Sequence, residues 1–139
     1  MRRVVVTGIG LVSPLAGDTA NSWARLIDGQ SGIRNVTSFD VSDLPVTIGA
    51  EVPRGEGEGE FHADSWLAPK DQRKNDDFIL YAIGAASQAI EDSGWMPDDD
   101  EGRERTGVMI GSGIGGLPGI YDASVTMHER GARRVVLAV

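Results

Sequence analysis

Residues 76–93 constrain this chain more than any other stretch. Phe78, Ile79, Leu80, Tyr81, Ala82, Ile83, Gly84, Ala85, Ala86, Ala89 and Ile90 leave the helix predicted there almost no polar face. A helix that is apolar nearly all round has to be covered on several sides, and its small residues let neighbours come close. Asp76 and Asp77 suit the positive end of its dipole, and Gly94 is the expected stop. A chain of 139 residues has little material with which to cover such a helix. The sequence therefore predicts a buried layer whose cover is incomplete within the chain.

Glycine sets the second constraint. There are 19 glycines, about twice what a usual share of ~7% would give, and they gather at residues 55–59 and 107–119. Only the second group has apolar flanks. Val108, Met109 and Ile110 read as a buried strand, four of the six residues from 111 to 116 are glycine, and Pro118 falls where a helix can begin. So many glycines together imply a backbone that passes close to a ligand or another segment. Gly111, Gly113 and Gly116 also satisfy the spacing of a dinucleotide fingerprint. Glu129 lies near the distance of the ribose-binding acid, but on a predicted helix rather than after a second strand. The opening Val4-Val5-Val6-Thr7-Gly8-Ile9-Gly10 has a similar half-match, with Ser13 where a third glycine would stand. A nicotinamide-binding module is thus one alternative, resting on two incomplete motifs.

A net charge of −8 argues against nucleic acid as the partner. Two local basic spots interrupt the acidity, Lys70-Asp71-Gln72-Arg73-Lys74 and Arg133-Arg134. With no cysteine, the chain has no disulfide, thiolate metal site or cysteine nucleophile of its own. His62 and His128 lack metal-ligand spacing, so no metal is expected. No run approaches the ~18 apolar residues of a membrane span. Arg2 and Arg3 ahead of an apolar run resemble a secretory leader, yet Gly8, Gly10, Ser13 and Pro14 interrupt it. The expectation is a cytoplasmic protein with no membrane contact.

Elsewhere residues 4–6 predict a first strand. Asp18 or Thr19 can cap a helix whose apolar face is Ala20, Trp23, Ala24 and Ile27, with Trp23 in the core and Gly29 at the end. Residues 31–43 read as irregular, 46–52 as a second strand, and 54–60 as a mobile exposed loop. Trp66 and Leu67 return the chain to the core. Residues 98–101 read as an exposed acidic loop. Ile120, Tyr121, Ser124, Val125 and His128 share a helical face ending at Gly131. The apolar residues 135–139 look like an interrupted strand rather than a natural end.

Several segments together resemble one family. Residues 2–15, Arg-Arg-Val-Val-Val-Thr-Gly-Ile-Gly-Leu-Val-Ser-Pro-Leu, are similar to the opening of the β-ketoacyl-[acyl carrier protein] synthases. Ser22-Trp23, Gly29-Gln30-Ser31-Gly32-Ile33, Lys70-Asp71-Gln72-Arg73-Lys74 with Asp77-Phe78, and Ile110-Gly111-Ser112-Gly113-Ile114-Gly115-Gly116-Leu117 continue the likeness. Isoleucine at 114 resembles the type II elongating enzymes. The resemblance implies an α/β chain forming the N-terminal part of a thiolase-like, layered αβαβα fold, with residues 1–135 as an incomplete half-domain and 136–139 as a divergent tail. It implies a decarboxylating Claisen condensation on acyl chains carried by the phosphopantetheine of acyl carrier protein, in a homodimer. The family's catalytic cysteine and two histidines match no residue here, so the chain alone is expected to be inactive. Gly113 and Ile114 match the gate of the acyl pocket. Lys70, Arg73, Lys74, Arg133 and Arg134 match the carrier-docking surface. A non-catalytic partner subunit resembling the chain-length factors is the other alternative; those also lack the cysteine but have full synthase length.

Overall fold

The computed structural model describes residues 2–135; the tail expected at 136–139 lies outside them. The chain divides into two compact units, Met1–His62 with Gly84–Met96, and Ala63–Ile83 with Pro97–Val139.

In the first unit, helix α1 (Thr19–Ile27) starts as its cap predicts. Asp18 is extended, and its carboxylate accepts from Asn21 N at 2.8 Å. Gly29 follows the helix with φ 71°. Strands β1 (Ile33–Asn35) and β2 (Ile48–Ala50) pair antiparallel, Ile33 opposite Ala50 and Asn35 opposite Ile48. β2 lies inside the predicted second strand. β1 falls in the stretch read as irregular, since three residues are too few for alternation to show. The turn after β1 is clasped by Glu51, whose carboxylate accepts from Thr37 N at 2.9 Å, Thr37 Oγ1 at 3.1 Å and Ser38 N at 3.1 Å.

Residues 4–6 do not form the predicted strand: Val4, Val5 and Val6 are exposed, and no described residue pairs with them. β-branching favours extended backbone, but a strand needs an edge to bond to. The residues just after them find a helix instead. Ile9 N donates to Asp92 Oδ2 at 2.8 Å and Leu11 N to Gln88 Oε1 at 3.3 Å, both on helix α3 (Asp77–Ser93). A Cβ on Gly8 would fall 2.6 Å from Ser93 N, and one on Gly10 would fall 2.7 Å from Ala89 N and closer still to Ala85 O. Two extended residues advance ~6.6 Å and four helical residues ~6 Å, so alternate glycines meet successive turns of the helix. The small residues Ala85, Ala89 and Ser93 are what permit this approach.

The predicted core face of α1 is open. Trp23 is 62% exposed, and Ser22 is the buried residue of the helix, its Oγ 3.0 Å from Ser13 Oγ. Ser22 Oγ also donates to the carbonyl of the buried Ala16 at 3.3 Å, while Ala20, Trp23, Ala24 and Ile27 of the predicted face are all exposed. Residues 54–60 are likewise not a free loop. Gly17 N bonds Gly59 O at 2.9 Å, Arg25 Nη2 donates to Glu58 O at 3.0 Å, and Arg54 bridges Phe61 in parallel. Alternating glycine and glutamate signal a lack of apolar side chains, but this loop is held through its backbone.

The second unit opens with a 3-10 turn (Ala63–Ser65) and helix α2 (Pro69–Gln72). Trp66 and Leu67 are half-buried between them. Helix α3 has its predicted span and ends at Gly94 (φ 63°), but its burial is one-sided. Leu80 and Gly84 are buried, whereas Phe78 and Ile90 are open. The acidic stretch is not merely a loop: Asp99 accepts from Gly102 N at 2.6 Å and caps helix α4 (Asp100–Glu104). Helix α5 (Leu117–Arg130) begins with Pro118 in its first turn and is closed by Gly131, as predicted. A last 3-10 turn, Ala132–Arg134, follows.

Candidate functional site

The glycine segment of the second unit is built from one open part and one seated part. Val108, Met109 and Ile110 are exposed, Met109 at 98%, and form no strand. The expectation of a buried strand fails here for the same reason as at residues 4–6: no described edge pairs with it. Around Gly111 and Gly113 an added Cβ would meet nothing within 4 Å. Ile114 is 78% exposed.

Two residues further on, the backbone is confined. A Cβ on Gly115 would lie 2.6 Å from Phe78 Cε2 and 2.8 Å from Phe78 Cζ, so the ring lies directly against the peptide. Gly116, the N-cap of α5, has φ 72° and ψ 28°, a left-handed conformation open to glycine at little cost. It brings no capping side chain. The Asp76 carboxylate lies close by without a capping hydrogen bond: its Oδ2 is the nearest atom to a Cβ on Gly116 and lies 2.8 Å from one on Gly119. A carboxylate there matches the positive end of α5. Ile114, Gly115, Gly116, Leu117 and Pro118 line a hollow of about 420 Å³ with residues 75–78. A second, more apolar hollow of about 700 Å³ runs between Phe78, Ile79, Ile120, Ala123 and Met127.

This geometry weighs against a dinucleotide. The place at the α5 N-terminus where a pyrophosphate would sit is flanked by the Asp76 carboxylate, and like charge repels it. Glu129 lies on α5 itself. Gly8 and Gly10 are filled by the backbone of α3.

Of the basic residues, Lys70 lies in α2, Arg73 is its C-cap, and Lys74 follows. All three are exposed. Gln72, between them, turns inward and donates to Asp64 Oδ1 and Leu67 O, each at 2.6 Å. The neutral residue anchors the short helix, and Arg73 Nε donates to Pro69 O at 3.4 Å while its side chain stays at the surface. Lys74 Nζ lies 3.6 Å from Asp71 Oδ1, but an exposed pair of this kind holds the ammonium only weakly. Arg133 and Arg134 are exposed in the turn after α5. No hydrogen bond or ion pair among the described residues links the two groups. His62 is half-buried and His128 exposed on α5, and the described residues hold no group able to bind a metal.

Three residues that shape this unit and its neighbour were not legible as such. Asp76 reads in the sequence as an acid at the start of its own helix, where its carbonyl does accept from Ile79 N and Leu80 N, but its carboxylate also lies beside the first turn of α5. Phe78 reads as one more apolar residue of α3. Gln88 has no motif around it; its Oε1 accepts from Leu11 N, Thr19 N and Thr19 Oγ1, and its Nε2 donates to Gly17 O at 3.0 Å.

Comparison with known proteins places this arrangement. The family model described as "Beta-ketoacyl synthase, N-terminal domain" matches residues 1–139. The chain is 54% identical over 136 residues to 3-oxoacyl-[acyl-carrier-protein] synthase 2 of Rhizobium meliloti, covering 97% of this chain and 32% of the relative. It is 42% identical to the synthase 2 of Vibrio cholerae, over 96% of this chain and 31% of that one. It is 41% identical to a mitochondrial 3-oxoacyl-[acyl-carrier-protein] synthase of Arabidopsis thaliana, again over 96% of this chain and 32% of the relative. The chain thus spans about a third of the length of the curated relatives it matches. A solved structure, "The ishigamide ketosynthase/chain length factor", aligns with a TM-score of 0.58 at 33% identity, over 70% of this chain and 23% of its own. The fold is α/β and thiolase-like, as in the ketosynthases.

Proposed function

Because the chain belongs to the β-ketoacyl synthase family, as its N-terminal domain, we propose that it is part of a type II enzyme that elongates fatty acids. The reaction is a decarboxylating Claisen condensation. An acyl group on a cysteine thiolester is attacked by the carbanion that malonyl-carrier protein leaves on losing carbon dioxide, and two histidines stabilise the charge that develops. This chain has no cysteine. On this reading it brings the acyl-pocket gate, Gly113 and Ile114, and part of the surface that receives the carrier, Lys70, Arg73, Lys74, Arg133 and Arg134. The acyl group arrives on the carrier's phosphopantetheine, and no other cofactor is invoked. On this reading the complete enzyme works as a homodimer in the cytoplasm.

The observation that carries the docking assignment is local charge. In a chain of net charge −8, three cations stand exposed on and beside one four-residue helix. An acidic protein that must meet an acidic carrier needs such a patch to steer it. Titration of acyl carrier protein against the chain tests it: Arg73→Glu with Lys74→Glu should weaken binding about tenfold or more at low salt, and high salt should narrow the gap. Equal affinity at low salt would refute the docking role. The purified chain should form no carbon–carbon bond from malonyl- and acyl-carrier protein, and product formation would overturn the reading. The solved neighbour includes a chain length factor in its description, which supports the non-catalytic partner subunit as a second reading. A catalytic cysteine in the complete polypeptide would exclude that one.

A further inference from the structure

We propose that Asp76 and Phe78 are positioning residues for the Gly113–Ile114 gate: they clamp the peptide at Gly115 and Gly116, so that the gate moves about a fixed pivot. The proposal rests on the gate reading above and assigns it a mechanism. On the pivot side, the Phe78 ring leaves no room for even a methyl group at Gly115, and the Asp76 carboxylate closes on Gly116 and Gly119 at the first turn of α5. On the gate side, Gly111 and Gly113 have open space around them and Ile114 is largely exposed. A segment that is free at one end and clamped at the next residue swings; it does not translate.

The sequence provides each part. Glycine at 115 admits the ring, glycine at 116 admits the left-handed turn, and Pro118 fixes the first helical turn beyond it. The backbone rotation available to the gate is therefore concentrated at residues 111–114. Ile114 swings across the hollow of about 420 Å³ that it lines together with Asp76 and Phe78. The size of the acyl group admitted then depends on where the pivot holds the isoleucine, as well as on the isoleucine itself.

The test is methyl NMR on the chain with 13C-labelled isoleucine, in the wild type and in Phe78→Leu, Asp76→Asn and Asp76→Glu. Phe78→Leu and Asp76→Asn should broaden the Ile114 signal about twofold or split it, as motion enters the microsecond-to-millisecond range. Ile9 and Ile48, in the other unit, should stay unchanged, and Asp76→Glu should restore much of the wild-type signal. An Ile114 signal unmoved in both variants overturns the pivot, and so does one that shifts only in step with Ile9 and Ile48. If Phe78→Leu unfolds the chain, the Asp76→Asn and Asp76→Glu pair decides alone. The gate reading is judged separately: Ile114→Trp in the complete polypeptide should lower kcat/KM for long acyl donors relative to short ones. An unaltered length profile sinks the gate and leaves the pivot to the NMR.

Discussion

The contact between residues 8–11 and helix α3 is tight enough that one methyl group should undo it. In Gly10→Ala the new carbon would fall 2.7 Å from Ala89 N and 2.8 Å from the Ala85 carbonyl carbon, with Ala85 O nearer still. These are helix backbone atoms, so no rotamer change relieves the clash and the segment has to lift away. Overpacking of this kind costs ~1–3 kcal/mol. Lifting also stretches Leu11 N···Gln88 Oε1, already 3.3 Å, and Ile9 N···Asp92 Oδ2. A neutral bond and a charge-assisted one contribute roughly 1 and 2 kcal/mol, less here because both are exposed to water. The reduced freedom of the unfolded alanine chain returns about 0.5 kcal/mol. The net is a loss of ~3 kcal/mol, which at a urea slope near 2 kcal/mol/M lowers the midpoint by about 1.5 M. Far-UV circular dichroism in urea measures it. Gly107→Ala is the control, since a Cβ there meets nothing within 4 Å and φ is not positive. Adding Ala85→Gly to Gly10→Ala should rescue nothing, because the obstacle is the carbonyl. If Gly10→Ala unfolds within about 0.5 kcal/mol of the Gly107→Ala control, the close-packing argument is wrong.

Gln88→Leu should destabilise the first unit by about 2 kcal/mol by urea melting, since three partly buried bonds and one exposed bond lose their partner at once. Gln88→Glu keeps the acceptor oxygens and loses only the donation to Gly17 O, so it should cost less. Hydrogen bonding from Ser38, and then from the Thr37 amide, pushes Glu51 down to about 2 from its ordinary 4.5. A carboxylate lowered on folding stabilises above its unfolded value and loses that contribution as pH falls from 4.5 toward 2. An acid titration followed at the Thr37 and Ser38 amides should therefore show the clasp opening in that window, and Glu51→Gln should flatten the transition.

What could be read from the residues was local. The Asp18 cap, the span of α3 between Asp77 and Gly94, and the start of α5 at Leu117-Pro118 each depend on groups within a turn of one another. The basic cluster was legible too, because exposure of Lys70, Arg73 and Lys74 follows from charge alone. The failures concern pairing at a distance. Residues 4–6 and 108–110 have strand composition, but no described residue lies alongside to complete a ladder. Trp23 has the period of a core residue, but periodicity names a face without naming what covers it. The clamp of Asp76 and Phe78 on Gly115 and Gly116 spans nearly forty positions, and no spacing rule reaches that far.

The two glycine motifs show why spacing alone misleads. Gly8 and Gly10 repeat at two residues because α3 presents a backbone ridge at each turn, and Gly115 and Gly116 adjoin because a ring and a left-handed cap fall on consecutive peptides. A pyrophosphate would require a comparable absence of side chains, so the same letters satisfy all three demands. What separates them is the atom that occupies the space: a carbonyl at Gly10, a phenyl ring at Gly115, a carboxylate at Gly116. The last of these is decisive for chemistry. The Asp76 carboxylate makes no capping hydrogen bond to α5, but it sets a like charge where a pyrophosphate would lie at the start of that helix. On the docking reading proposed above, the charge that meets an acidic partner is instead that of the exposed Lys70, Arg73, Lys74, Arg133 and Arg134.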